Sequence, residues 1–244
     1  MRNNLTILNV YKKKTIKSKV ITQLLYGDTF RKIQHSRSWL KIKNDLDNYE
    51  GYIKNKKFPP NQKSTHKVFV LYSNLYTKPN NKNKINKKLS FNSKIKVIEK
   101  QKDFYKFDNF WIKKNEVKNI DFKTKDNFKN VKKFINVKYK WGGKHYDGID
   151  CSGLIQLFLN FNNKFCPSDT KDQIKYFKRK IKIKKIRKND LIFWKGHVAI
   201  VFSKNKLIHA YGPLKKTVIM PIKKTINKIY STANLKVIGV RRII

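Results

Sequence analysis

The sequence predicts an α+β chain: two small all-β barrels in tandem, then a larger α+β domain. Three observations predict it. Residues 18–60 and 94–114 repeat one order of short alternating strands, tight turns and aromatic strands. From about residue 125 the apolar spacing lengthens from two residues to three and four. Beyond residue 190, short apolar runs alternate with turn residues. A length of 244 residues suits this division, and a hydrophobic fraction of 39% supplies a core for each part.

In the first barrel, Thr29–Ile33 and Ser38–Lys43 approximate the two-residue alternation of a half-buried strand. Asn44–Asn48 supply a turn, and Tyr49–Ile53 resume the strand pattern. Pro59-Pro60 end the unit and residues 61–65 read as a linker, so the first domain is expected over 1–62. The second barrel, expected over 63–123, has strands at Lys94–Lys100, Asp103–Asp108 and Phe110–Lys114. The Asn/Lys run from Asn80 to Lys88 reads as a long solvated loop.

The third domain is expected over 124–244. Phe128, Val131, Phe134 and Ile135 predict an amphipathic helix, followed by a turn at Trp141-Gly142-Gly143. Leu154, Ile155, Leu157, Phe158 and Phe161 trace a second helix. Residues 190–194, 197–202, 207–211 and 217–220 predict a run of short strands.

The chain carries a formal net charge of +44, with 59 Lys and Arg against 15 Asp and Glu. Clustered cations would suit a nucleic acid or another polyanion. The excess is spread evenly, however, and Arg, the bidentate reader of phosphates, is the rare cation with 7 residues against 52 Lys. Abundant Lys, Ile and Asn with scarce Ala, Gly, Pro and Arg also follow from AT-rich codons alone. Both origins of the charge stay open, with nucleic acid the less favoured partner. No apolar run reaches the roughly 18–20 residues of a membrane span. Neither a secretory leader pattern nor a disulfide framework is present, so a cytoplasmic location is expected. No His/Cys/Asp spacing suggests a metal, no Gly loop suggests a nucleotide, and no cofactor is expected.

Reactive chemistry concentrates around Cys151. In Asp150-Cys151-Ser152-Gly153 the cysteine opens the second predicted helix, where the helix dipole and free N–H groups favour a thiolate and offer donors to an oxyanion. A buried packing role is the alternative for a lone cysteine. Two of the five histidines decide between them. His197 and His209 fall on adjacent predicted strands joined by Ser203-Lys204-Asn205, which would set the rings side by side. A thiol nucleophile needs a general base, and the base needs a third group to fix its tautomer, which suits His197 and His209 in turn. His145 reads as a surface residue, His35 and His66 as structural, Cys166 as packing, and Trp141 as packing or lining a cleft.

Residues Tyr139-Lys140-Trp141-Gly142-Gly143, Gly148–Gln156 around Cys151, Asp190–Ile200 around His197 and Ile208-His209-Ala210 resemble, in this order, the NlpC-type family of papain-like cell-wall peptidases. The tandem barrels, roughly 18–58 and 66–119, resemble bacterial SH3-type domains and, with the catalytic part, the cytosolic dipeptidyl-peptidase branch that trims murein peptides. The resemblance implies a papain-like catalytic domain and hydrolysis of the γ-D-glutamyl–diamino acid bond in peptidoglycan-derived peptides with a free N-terminal L-Ala. It implies Cys151 as nucleophile, His197 as base, His209 as orienting residue and Tyr139 beside the oxyanion. Asp150 and Ser152, with Asp28 and Tyr49 of the first barrel, would hold the substrate's amino terminus. Three positions depart from the family pattern: Asn189 and Ala199 stand where Gly is common, and Asp28 where Glu is usual. A thiol acyltransferase on the same layout and a non-enzymatic basic module binding nucleic acid or an anionic wall polymer are the competing readings.

Overall fold

A computed structural model describes residues 1–243. They form two compact units. The first comprises residues 1–123 with 144–146 and 161–163; the second comprises 124–143, 147–160 and 164 onward.

The first unit opens with β1 (Ile7–Tyr11), β2 (Val20–Leu25), β3 (Phe30–His35), β4 (Trp39–Asn44) and β5 (Glu50–Lys54), in the sheet order β2-β1-β5-β4-β3. Leu8, Val10, Leu24, Phe30, Leu40, Ile42 and Ile53 fill its core. β1 lies ahead of the predicted barrel start at residue 18 and holds the place beside β2 and β5. Its buried Leu8 and Val10 alternate with half-buried neighbours, which is strand patterning over a run too short to stand out. Ile33, at the end of the first predicted strand, is exposed. The β3–β4 register shifts between Lys32 and Gln34, so Ile33 is the extra residue of a bulge.

Eight more strands follow in this unit: β6 (His66–Val68), β7 (Tyr72–Tyr76), β8 (Lys84–Ser90), β9 (Lys94–Ile95), β10 (Glu99–Gln101), β11 (Phe104–Phe107), β12 (Phe110–Lys113) and β13 (Val117–Asn119). They build a sheet of order β10-β11-β12-β7-β8 and one of order β13-β6-β9. Tyr26, Val68, Leu75, Leu89, Ile95, Phe107, Ile112 and Val117 form their core. The segment predicted as a solvated loop is mostly strand: after a 3₁₀ turn at Asn81–Asn83, β8 pairs antiparallel with β7. Its lysines face outward while Leu89 is buried, and a sheet needs only that one face. His145, expected at the surface, is buried in β14 (Lys144–His145). The segment is pinned by Lys144 N–H donating to Gln23 Oε1 (2.9 Å) and Tyr146 N–H donating to Ser90 Oγ (3.1 Å).

The second unit contains β15 (Gly148–Ile149), α1 (Cys151–Phe161, whose last residue belongs to the first unit), α2 (Thr170–Tyr176) and α3 (Ile222–Ala233). It also contains the antiparallel strands β16 (Leu191–Trp194), β17 (His197–Val201), β18 (Lys206–Tyr211), β19 (Lys216–Pro221) and β20 (Val237–Arg241). The sheet order is β19-β18-β17-β16-β20. α3 turns Ile222, Thr225 and Ile229 inward at helical spacing, and Asn234 in the left-handed region (φ 53°) ends it. The amphipathic helix predicted around residues 128–135 does not form. Phe128, Val131 and Phe134 are buried at strict three-residue spacing, the period of the 3₁₀ turn found at Val131–Phe134, and Asn136 (φ 66°) reverses the chain.

The entrance to β16 is set by Asp190. Its carboxylate, 1% exposed, accepts from Arg242 Nε (2.7 Å) and Nη2 (2.8 Å) and from Arg187 N–H (2.7 Å). Asn189 before it has φ 72°, so a residue that tolerates the left-handed region stands where the family pattern has Gly.

Two glycines separate conformational strain from crowding. Gly27 (φ 82°) has no room for a Cβ, which would lie 2.1 Å from the Lys94 carbonyl oxygen; Gly196 (φ 76°), in the β16–β17 turn, has nothing within 4 Å. Gly196→Ala is expected to cost about 1–2 kcal/mol from the left-handed backbone alone. Gly27→Ala adds about 1–3 kcal/mol for displacing backbone. Urea denaturation of both variants checks the order, and equal losses would contradict it.

Candidate active site

The loop Ile149-Asp150-Cys151-Ser152-Gly153 is folded by its own aspartate. The Asp150 carbonyl accepts from Leu154 N–H (3.0 Å), which begins α1, and Asp150 Oδ1 accepts from Gly153 N–H (2.6 Å) and Ser152 Oγ (3.2 Å). Asp150 is thus the N-cap of α1, and Cys151 is its first residue. Asp150 Oδ2 also accepts from Gly142 N–H (2.7 Å), which fastens the Trp141-Gly142-Gly143 turn to the helix start. Trp141 itself is exposed. Tyr139 runs beside Ile149 as a parallel bridge, and its ring packs 3.6 Å from where a Gly212 Cβ would stand.

α1 is apolar on nearly all sides, and Leu154, Ile155, Leu157, Phe158 and Leu159 are all buried. Cys151 is buried with them. Burial pushes its thiol up to about 12, helped by the negative charge of Asp150. The N–H groups of Val198, Ser152 and Cys151 oppose this without prevailing. The thiolate expected at a helix start is therefore not the resting form, because desolvation outweighs the dipole.

β16 and β17 form a hairpin in which Trp194 pairs with His197. β17 pairs with β18 through Ile200–Ile208 and Val201–Leu207. Carried two residues further, that register puts His209 on the same face as His197, one step along. His197 Nε2 lies 2.9 Å from His209 Nδ1. His209 is 1% exposed and its ring stacks on Tyr211, centroids 4.6 Å apart at 11°. Burial pulls His197 down to about 4 and His209 to about 2, the latter helped by the neighbouring His197 charge. Both rings are neutral at pH 7.

The two predicted histidines therefore meet, and Cys151 Sγ faces the same strand entrance: its hydrogen bond runs to the Gly196 carbonyl at 4.0 Å. Sγ thus lies against the backbone on both sides of His197, through Gly196 C=O and Val198 N–H, rather than bonded to the imidazole. Burial raises the Tyr139 hydroxyl, with further contributions from Cys151 and Asp150, so it stays a protonated donor near both. Ser152 is buried, and its carbonyl accepts from Gln173 Nε2 (3.0 Å).

In the first unit, Asp28 is buried and bound into its own turn, accepting from Leu25 N–H (2.9 Å) and Lys94 Nζ (3.0 Å). Tyr49 is half-buried just before β5. Sequence reasoning passed over Tyr211, which stacks on His209, and Met220, whose Sδ lies 3.4 Å from His209 Nε2. The β18–β19 pairing of His209 with Val218 carries the signal for Met220, two residues along on the same face. Among the described residues, no group of three or more His, Cys, Asp or Glu could hold a metal ion.

Residues 136–236 match the NlpC/P60 family model and residues 6–57 the bacterial SH3 domain model. The chain is 35% identical over 77 residues to dipeptidyl-peptidase 6 of Lysinibacillus sphaericus, covering 32% of this chain and 28% of that one. It is 32% identical over 82 residues to a probable endopeptidase NlpC homolog of Haemophilus influenzae, covering 32% and 43%. The chain thus spans less than half the length of either relative. A crystal structure of an NlpC/P60 family protein from Bacillus cereus matches with a TM-score of 0.82 at 18% identity, covering 99% of this chain and 98% of that one, which shows a shared fold. Cys151, His197 and His209 all lie inside the stretch that matches the NlpC/P60 family model, which follows the stretch that matches the bacterial SH3 domain model.

Proposed function

We propose that this protein is a cysteine peptidase that hydrolyses the γ-D-glutamyl–diamino acid bond of peptidoglycan-derived peptides with a free N-terminal L-Ala. The observation that carries it is the 2.9 Å His197–His209 bond formed at the strand entrance that Cys151 Sγ faces. The names of the two relatives, a dipeptidyl-peptidase and an endopeptidase homolog, support peptide hydrolysis. In this reading residues 63–123 are a second bacterial SH3-type domain, and the role is cytoplasmic turnover of murein peptides. Among the described residues, no helix is long and apolar enough to cross a membrane.

The chemistry follows from a neutral pair. As Cys151 Sγ attacks the γ-carbonyl, its proton passes to His197, whose charge is then supported by His209. The N–H groups at the start of α1 and the Tyr139 hydroxyl stabilise the tetrahedral oxyanion; one such donor is worth about 2.7–4 kcal/mol of barrier. His197 then protonates the leaving amine of the diamino acid, giving a thioester on Cys151. Water, deprotonated by His197, releases the L-Ala-γ-D-Glu acid and restores the thiol. The substrate's ammonium would be recognised by the half-exposed Asp150 carboxylate with Ser152. Asp28 already has Lys94 as its counter-ion.

Incubation of L-Ala-γ-D-Glu-meso-diaminopimelate with the protein, read by mass spectrometry, is expected to release L-Ala-γ-D-Glu. Cys151→Ala should abolish release, and cleavage surviving in that variant would reject the assignment. Asn caps a helix as well as Asp does. Asp150→Asn keeps the Oδ1 cap on Gly153 N–H but loses the acceptor for Gly142 N–H, so it should raise KM for the free-amine peptide more than for its N-acetyl derivative; equal effects on both would contradict the ammonium contact. Alkylation of Cys151 by iodoacetamide should be slow at pH 7 and keep rising with pH toward 10, as expected for a thiol near 12. A rate already level from pH 5 upward would indicate a preformed thiolate–imidazolium pair.

A further inference from the structure

Behind the two histidines stands a sulphur atom. His209 Nε2 lies 3.4 Å from Met220 Sδ, on the neighbouring strand β19. A thioether has lone pairs and no hydrogen to give, so this contact is favourable only when Nε2 carries the proton. In a neutral imidazole that leaves Nδ1 as the acceptor. Nδ1 faces His197 Nε2 at 2.9 Å, so the hydrogen of that bond belongs to His197. His197 then has its lone pair on Nδ1, the one nitrogen still able to take a proton. The opposite arrangement would set a bare His209 Nε2 against the sulphur lone pairs and place a hydrogen on His197 Nδ1, where it could accept nothing.

We propose that Met220 is a positioning residue that selects the Nε2–H tautomer of His209 and, through it, the proton-accepting form of His197. The consequence for turnover rests on the peptidase reading; the tautomer itself does not. Two surrounding features hold the imidazole and the sulphur in this arrangement. His209 cannot easily flip, because its ring lies flat against Tyr211. Met220 reaches it along the diagonal of the β18–β19 pair, where Val218 stands directly opposite.

Nitrogen-15 NMR of histidine-labelled protein distinguishes the two tautomers directly. The expected result is a single Nε2–H form for His209 in the wild type. Met220→Leu, which keeps the bulk and removes the acceptor, should give a mixture of tautomers and lower kcat about tenfold or more with KM unchanged. Norleucine in place of methionine makes a finer control, since Met220 and Met1 are the two methionines of the chain. It exchanges the sulphur for a methylene and should reproduce the leucine result. A wild-type His209 in the Nδ1–H form, or an unchanged single tautomer in both altered proteins, would overturn the proposal. Absence of peptide cleavage by the wild type would count against the peptidase reading alone, because the NMR readout still decides the role of Met220.

Discussion

One carboxylate closes the loop on which the site is built. Asp150 accepts from Gly142 N–H, Ser152 Oγ and Gly153 N–H, and its own carbonyl starts α1. The bond from Gly153 N–H satisfies an early donor of an almost wholly buried helix, which would otherwise face an apolar core. The same bonds fix Cys151 as the first helical residue and hold the glycine turn that follows Tyr139. A negative charge at a helix start is ordinarily stabilising. Here it also disfavours a second negative charge on the adjacent thiol.

Burial therefore acts in two directions. It raises the thiol of Cys151 and lowers both imidazoles, which leaves a resting site with no charge on any of the three groups. It also fixes their geometry, because rings packed against Trp194 and Tyr211 on paired strands have few alternatives. The linkage follows the same sign. Each histidine is lowered in the folded state, so it takes up a proton more readily when unfolded. Its stabilising contribution is complete above about pH 6.5 and declines as pH falls toward 4 and below.

Much of this was legible in the sequence because it depends on local rules. The strand alternation at 191–211 and the short Ser203-Lys204-Asn205 link were enough to bring His197 beside His209, since a two-strand register leaves little freedom. Cys151 at the start of a helix was equally plain from Asp150-Cys151-Ser152-Gly153. What escaped depends on the surroundings of a residue rather than its neighbours in sequence. The reach of burial over the helix dipole at Cys151 is set by the residues packed around α1. The contact of Met220 with His209 arises from a pairing across two strands. The loop predicted at Asn80–Lys88 is largely strand because a solvated lysine face masks the buried Leu89. The expected helix near Phe134 failed because three-residue spacing fits a 3₁₀ turn as well as an α-helix, and Asn136 ends the run.

The central claim is that a neutral Cys151 becomes the acyl carrier when substrate arrives. Rapid-quench intact-mass spectrometry during turnover of a γ-D-glutamyl peptide tests it most directly. An adduct with the mass of the L-Ala-γ-D-Glu acyl group is predicted, localised by fragmentation to Cys151, appearing before free L-Ala-γ-D-Glu and decaying with it. Product formed in the first turnover while Cys151 stays unmodified at every quench time would contradict it.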